Sequence, residues 1–290
     1  MTHAEALARV AEIHATEEGV NPVCRFGLRE HGHRTERAIV LIHGLTSCPA
    51  MWAELARQLH AGGANVLMPR LPRHGLADRM TRDLSQLTTE ELAATGVEAL
   101  EIATGLGERV TVAGLSLGGI LSGWLAQFRA EVDRAVLIAP LFGAPVVPEW
   151  FSDFGGFLAD KMPNTYLWWD RKAKQAIKGP SYSYPRFPTH AYGEMLRLGH
   201  EVKQAARRAA PLGRDLRVVM NLADPAVNNA STYRLIDAWR RHGAAVGTYE
   251  FPRSEGLKHD IISPDQTYAR TDEVYPVLID WISSDVPLAR

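Results

Sequence analysis

Apolar residues recur along this chain in two alternating periods. Short runs of consecutive apolar positions, such as Ala38-Ile-Val-Leu-Ile42 and Arg134-Ala-Val-Leu-Ile-Ala139, alternate with longer stretches where they return every three or four residues. The short runs suit strands covered on both faces, and the longer stretches suit amphipathic helices. The pattern predicts strands over 23–28, 38–42, 64–68, 109–113, 134–139, 216–222 and 246–251. It predicts helices over 4–14, 49–60, 88–104, 231–241 and 272–283, with another opening directly after Ser116 (Ile120, Leu121, Trp124, Leu125). The polar His31-Gly32-His33 turn reads as a hairpin connection joining the first two strands.

Strand and helix alternate with short connections, which predicts the α/β class: a mostly parallel, twisted sheet of about eight strands with helices on both faces. Ligands of such sheets sit beyond the carboxyl ends of the strands. The alternation fails over 141–211, which holds Trp150, Phe151, Phe154, Phe157, Tyr166, Trp168, Trp169, Tyr182, Tyr184 and Phe187 between repeated prolines. So aromatic a segment is no disordered linker. It reads as a cap inserted into a core formed by 1–140 and 212–290, with helices near 165–177 and 189–209. A satellite core or a homodimer surface is the alternative reading. A cap would line an apolar pocket, with Trp150, Phe154, Trp168 and Trp169 as candidate lining residues.

Charge narrows the classes of partner. Thirty-two Lys and Arg against 33 Asp and Glu leave a net charge of −1, and no basic block appears, so neither nucleic acid nor an anionic membrane surface is implied. A small-molecule ligand fits better. No stretch of about 18 apolar residues suggests a membrane span, and the Glu-rich first 19 residues lack an apolar leader core. The expectation is a cytoplasmic protein, or a mature form already trimmed. Cys24 and Cys48 make no metal pattern; reduced thiols are the default in that compartment, with a disulfide between them as the alternative.

The candidate chemistry gathers around Val110-Thr-Val-Ala-Gly114-Leu-Ser116-Leu-Gly118-Gly119. Gly-x-Ser-x-Gly alone arises by chance in roughly one chain in ten of this length. Here it joins a buried strand to an amphipathic helix, the context in which a strained turn lifts the serine hydroxyl above a sheet. A serine nucleophile needs a base. Of the eleven histidines, His259 lies in the loop after the last strand, at the edge a parallel sheet shares with Ser116. His43 reaches the same edge as a candidate pocket residue, although its ring reads better as a structural hydrogen-bonding group. The base needs a carboxylate to hold its tautomer. Asp224 directly follows a buried strand on the correct side, Asp215 precedes that strand and falls at the opposite edge, and Asp260 is too close in sequence to orient His259. A turn-forming Asp before Pro225 is the alternative reading of Asp224.

These motifs together resemble the α/β-hydrolase superfamily, and within it the carboxylesterase and monoacylglycerol-lipase-like branch. They are His43-Gly44-Leu45-Thr46, the loop Pro69-Arg-Leu-Pro-Arg-His-Gly75, Gly114-Leu-Ser-Leu-Gly118, Asp224-Pro-Ala-Val227 and Lys258-His259-Asp260. The order Ser116, Asp224, His259 is the order of that fold. The resemblance implies an α/β-hydrolase fold and hydrolysis of a carboxylic ester through an acyl-enzyme, with the backbone N–H groups of Leu45 and Leu117 as oxyanion hole and no metal or organic cofactor. Monoacylglycerol lipase and thioesterase activities use the same triad, and a ligand receptor with a vestigial triad is the non-enzymatic alternative. The family loop usually reads Gly-His-Gly where this chain has Arg73-His74-Gly75. Arg73 is therefore expected to reshape the pocket wall or attract a negative group.

Overall fold

Runs that are apolar at consecutive positions do become strands covered on both faces in the computed structural model, which describes residues 1–145, 162–170 and 179–284. In chain order the strands are β1 (Gly27–Arg29), β2 (Thr35–Ile42), β3 (Asn65–Met68), β4 (Gly107–Leu115), β5 (Arg134–Ile138), β6 (Tyr166–Trp168), β7 (Arg186–Pro188), β8 (Asp215–Asn221) and β9 (Val246–Phe251). The helices are α1 (His3–Ala15), α2 (Ala53–Ala61), α3 (Thr89–Leu106), α4 (Leu117–Phe128), α5 (Thr189–Ala206), α6 (Asn229–Arg241) and α7 (Thr271–Ser283). Among the described residues, seven strands form the main sheet in the order β1-β3-β2-β4-β5-β8-β9, and all neighbours are parallel except β1 with β3.

The two faces carry separate cores. Ala38, Val40 and Ile42 of β2 face a cluster completed by α1, α3, α4, α5 and α6, while Ile39 and Leu41 face another built with α2 and α7. Side chains of one strand alternate between faces, so a strand with a core on each side must be apolar throughout. The order reverses between β2 and β4, and the loops after β2, β4, β8 and β9 leave at one edge. Such a crevice is where open α/β sheets bind ligands.

Two expectations about elements need correction. The first two strands do not form a hairpin: Gly27, Leu28 and Arg29 pair antiparallel with Met68, Leu67 and Val66 of β3. Both edges of β2 are taken by parallel registers, a short one with β3 and a long one with β4, which leaves β1 the outer position. The helix expected near 165–177 is instead strand β6 over its first described residues, paired antiparallel with β7 through Leu167 and Phe187; residues 171–178 lie outside the described residues. Alternating sides of a short strand can mimic helical spacing over three residues. The helix expected near 189–209 is α5, whose Ala191, Met195 and Leu198 join the α4 side of the core. The thiols are not reduced either. Cys24 and Cys48 are fully buried and disulfide-bonded, with Cα atoms 5.3 Å apart, because the turn at Pro22–Cys24 meets the turn at Pro49–Trp52.

Glycines permit the closest approach in the fold. A Cβ on Gly118 would lie 2.0 Å from the Ile42 carbonyl oxygen, and one on Gly114 would lie 2.2 Å from the Gly118 carbonyl carbon and oxygen. Neither neighbour is a movable side-chain tip. Gly118→Ala should therefore destabilise the protein by at least about 2 kcal/mol in urea or thermal unfolding, whereas Gly199→Ala, whose nearest neighbour would be Phe142 Cδ1 at 3.5 Å, should be neutral or better. Equal effects would contradict this account of the strand–helix contact.

Candidate active site

Ser116 sits between β4 and α4 with φ 59° and ψ −111°, a sparsely populated conformation for a non-glycine residue. Its N–H donates to the Ile138 carbonyl (2.9 Å), which ties the turn to the neighbouring strand end. The side chain is 5% exposed and lines a cavity of about 580 Å³. Leu117 is the first residue of α4, so its N–H has no acceptor within the helix. Leu45 lines the cavity from the loop after β2, where a Cβ on Gly44 would stand 3.6 Å from the Ser116 Cβ.

Asp224 and His259 meet beside this turn. His259 Nδ1 lies 2.6 Å from Asp224 Oδ2, and the Asp224 side chain is fully buried. The other carboxylate oxygen, Oδ1, accepts from the Ala226 N–H (2.8 Å). His259 shares the cavity wall with Ser116. Rival carboxylates are engaged elsewhere. Asp215 opens β8 at the far edge and accepts from Arg134 (2.7 Å) and Arg217 (2.8 Å). Burial alone would raise its carboxyl; hydrogen bonds from Arg217 and Arg134 outweigh that and hold it below the usual range. Asp260 accepts from the backbone of Ile262 and Ser263 and from Gln266.

His43 does not line the cavity. Fully buried, it accepts from the Leu71 N–H through Nε2 (3.0 Å) and donates from Nδ1 to the Gly44 carbonyl (2.9 Å), an assignment that requires the neutral ring. Burial, and next the neighbouring His74, push its pKa well below the ordinary histidine value. Burial likewise pushes His74 from 6.5 down to about 4. A histidine held neutral in the fold but free to protonate when unfolded favours unfolding in acid. Its stabilising effect is complete above about pH 6.5 and is lost as pH falls towards 4. Each such ring should add a slope of up to about 1.4 kcal/mol per pH unit in that window. Urea unfolding from pH 4 to 7 should give stability rising with pH, and His74→Leu should flatten the rise; an unchanged slope in the variant would remove His74 from the explanation.

Arg73 also departs from expectation. It does not face the cavity. Its guanidinium makes two hydrogen bonds to Glu91 near the start of α3 (2.8 and 3.1 Å) and one to Gln86 (3.2 Å). Its φ of 64° explains why glycine suits this loop position, and the Glu91 contacts hold the larger residue there. Trp168 and Trp169 do line the cavity, while Trp150 and Phe154 lie outside the described residues.

With this geometry in view, residues 39–280 match the Alpha/beta hydrolase family. The chain belongs to that family. A thermostable monoacylglycerol lipase from Bacillus sp. (strain H-257) is 27% identical over 130 residues, 41% of this chain, and the match spans about half (51%) of that relative. Among solved structures, one from LipS and LipT, two metagenome-derived lipolytic enzymes, has a TM-score of 0.69 at 18% identity and covers 91% of this chain and 98% of the other. The monoacylglycerol lipase of Paleococcus ferrophilus has a TM-score of 0.64 at 17% identity, covering 89% and 98%. Likeness at such identities speaks for the fold. As an alpha/beta hydrolase the chain has no helix, among the described residues, long and apolar enough to cross a membrane.

Three residues around the site carry signals that strand and motif patterns do not weigh. Asn221, fully buried at the end of β8, donates to the carbonyls of Leu257 (3.1 Å) and Lys258 (3.0 Å) and so anchors the loop that presents His259. A lone polar residue closing an apolar strand run is the available clue. Thr46, with φ 68°, accepts from Trp169 Nε1 (2.8 Å) through its hydroxyl, and its carbonyl accepts from the Tyr184 N–H (2.8 Å). The aromatic segment is thereby fastened to the turn that carries Leu45. Arg79 lines the cavity from a loop with no regular periodicity.

Proposed function

We propose that this alpha/beta hydrolase is a serine hydrolase that cleaves a carboxylic ester through an acyl-enzyme. The observation that carries the reading is the 2.6 Å contact between His259 and Asp224 on the wall of the cavity that Ser116 lines. Asp224 holds the His259 Nδ1 proton, which leaves Nε2 free to accept the Ser116 hydroxyl proton. The Ser116 oxygen attacks the ester carbonyl, and the oxyanion forms against the N–H groups of Leu45 and Leu117. Each such donor contributes roughly 3–4 kcal/mol in the transition state. His259 then returns the proton to the leaving alcohol, activates a water for attack on the acyl-enzyme, and the free acid departs as Ser116 is regenerated. The described part of 141–211, with Trp168, Trp169 and Tyr184 on the cavity wall, acts in this reading as a cap over the core formed by 1–140 and 212–290.

A monoacylglycerol lipase is the second reading, favoured by the thermostable monoacylglycerol lipase relative. A thioesterase would use the same groups. The test combines labelling with a substrate panel. A fluorophosphonate should add one adduct at Ser116, read by peptide mass, and p-nitrophenyl esters of increasing acyl length should be hydrolysed. Rates rising towards long chains would favour the lipase reading. Absence of both labelling and turnover would leave a binding protein with a vestigial triad.

A further inference from the structure

The cavity holds a cation that the proposed chemistry does not use. Arg79 is half-buried on the same wall as Ser116 and His259. Its Nε donates to the Ser183 carbonyl (2.7 Å) and its Nη2 to the Pro180 carbonyl (3.1 Å). Both acceptors are uncharged backbone groups. Neighbouring arginines are matched differently: Arg70 pairs with Glu17 (2.9 Å) and Arg73 with Glu91 (2.8 Å). No carboxylate pairs with Arg79 among the described residues, and Asp260 on the cavity wall accepts instead from Ile262, Ser263 and Gln266. Burial, with no opposing charge, lowers its pKa.

Two fixed hydrogen bonds orient the guanidinium and consume two of its five N–H donors, which leaves three for a ligand. A half-desolvated cation without a counter-charge is costly, and a carboxylate arriving with the substrate would remove that cost through charge-assisted bonds. Arginine prefers planar anions that accept two parallel bonds. A neutral monoacylglycerol would leave the group unmatched.

We propose that Arg79 is a specificity-determining residue that selects esters bearing a carboxylate, on either the acyl or the alcohol side of the scissile bond. The inference rests on the ester-hydrolase reading and narrows its substrate class. Selection follows from position: the cation shares a cavity with the reacting serine, so an ester whose charged end pairs with Arg79 is held for attack, and binding energy from a non-reacting part of the substrate serves orientation.

Two probe pairs test it on the full chain. Mono-p-nitrophenyl adipate against p-nitrophenyl heptanoate reads the acyl side; 4-acetoxybenzoate against its methyl ester reads the alcohol side. The expected result is an anionic-to-neutral ratio of kcat/KM that falls about tenfold or more in Arg79→Gln for one pair, as loss of a charged hydrogen bond predicts, and recovers in part in Arg79→Lys. A role limited to holding the Ser183 and Pro180 carbonyls would lower both members of each pair alike and leave both ratios unchanged, which overturns the proposal. Binding of 6-oxoheptanoate, which carries the carboxylate and a ketone in place of the ester, followed by thermal shift in wild type and Arg79→Gln, reads the anion site without turnover. If no ester of either pair, anionic or neutral, is hydrolysed by the wild type, the ester-hydrolase reading fails on its own, and the thermal shift still decides whether Arg79 binds the carboxylate.

Discussion

Ser116→Ala should lower kcat for p-nitrophenyl butyrate by about four to six orders of magnitude, with a melting temperature close to that of the wild type. The size follows from removing the only atom proposed to bond to the acyl group. What remains is catalysis of direct water attack by the Leu45 and Leu117 N–H groups and by His259. The fold should tolerate the change for a local reason. Alanine and serine carry the same Cβ, so the φ of 59° at this position is no worse for either, and the Ser116 N–H that donates to Ile138 is unchanged. Fluorophosphonate labelling should vanish in the same variant. A purified Ser116→Ala protein that retained more than about 1% of wild-type kcat, against the loss expected for a nucleophile, would refute the acyl-enzyme at this residue.

Sheet polarity is what makes the site readable in the sequence. In a parallel sheet every strand ends at one edge, so residues just after strands share a surface even when a hundred positions separate them. Ser116 follows β4, Asp224 follows β8, and His259 follows β9, whereas Asp215 opens β8 at its other end; the 2.6 Å contact of Asp224 with His259 and the pairing of Asp215 with Arg134 lie where that rule sends them. The same argument has no purchase on edges and insertions. Nothing local tells β1 to pair with β3 instead of β2, since the competition is between partners far along the chain. Arg73 misleads because a cation's destination depends on which acid lies near it in space, and Glu91 is 18 residues away. The cysteines are undecided by pattern for a similar reason: only the meeting of two turns brings them within bonding distance. Within 141–211, aromatic content announces burial without saying against what, and α5, among the described residues, packs on α4.

Asp224→Asn should be nearly as damaging as loss of the nucleophile, by about four orders of magnitude in kcat near neutral pH. The hydrogen bonds around Asp224 dictate how the amide must sit. Oδ1 accepts from the Ala226 N–H (2.8 Å), so an asparagine keeps its oxygen there and turns its NH₂ towards His259 Nδ1. That ring nitrogen must then accept, which moves the proton to Nε2, where it faces the position from which a proton should be taken. The ring would be present, oriented and in the wrong tautomer. The matching control is Asp215→Asn. It removes an acceptor shared by two guanidinium groups whose side chains are only 5% and 2% exposed, so it should cost about 3 kcal/mol of stability and leave kcat per folded molecule unchanged. The two carboxylates thus separate the alternatives cleanly: a loss of kcat confined to Asp224→Asn and a loss of stability confined to Asp215→Asn support the assignment. An Asp224→Asn protein with more than a tenth of wild-type kcat, set against the tautomer argument, would return Asp224 to the role of a turn residue before Pro225.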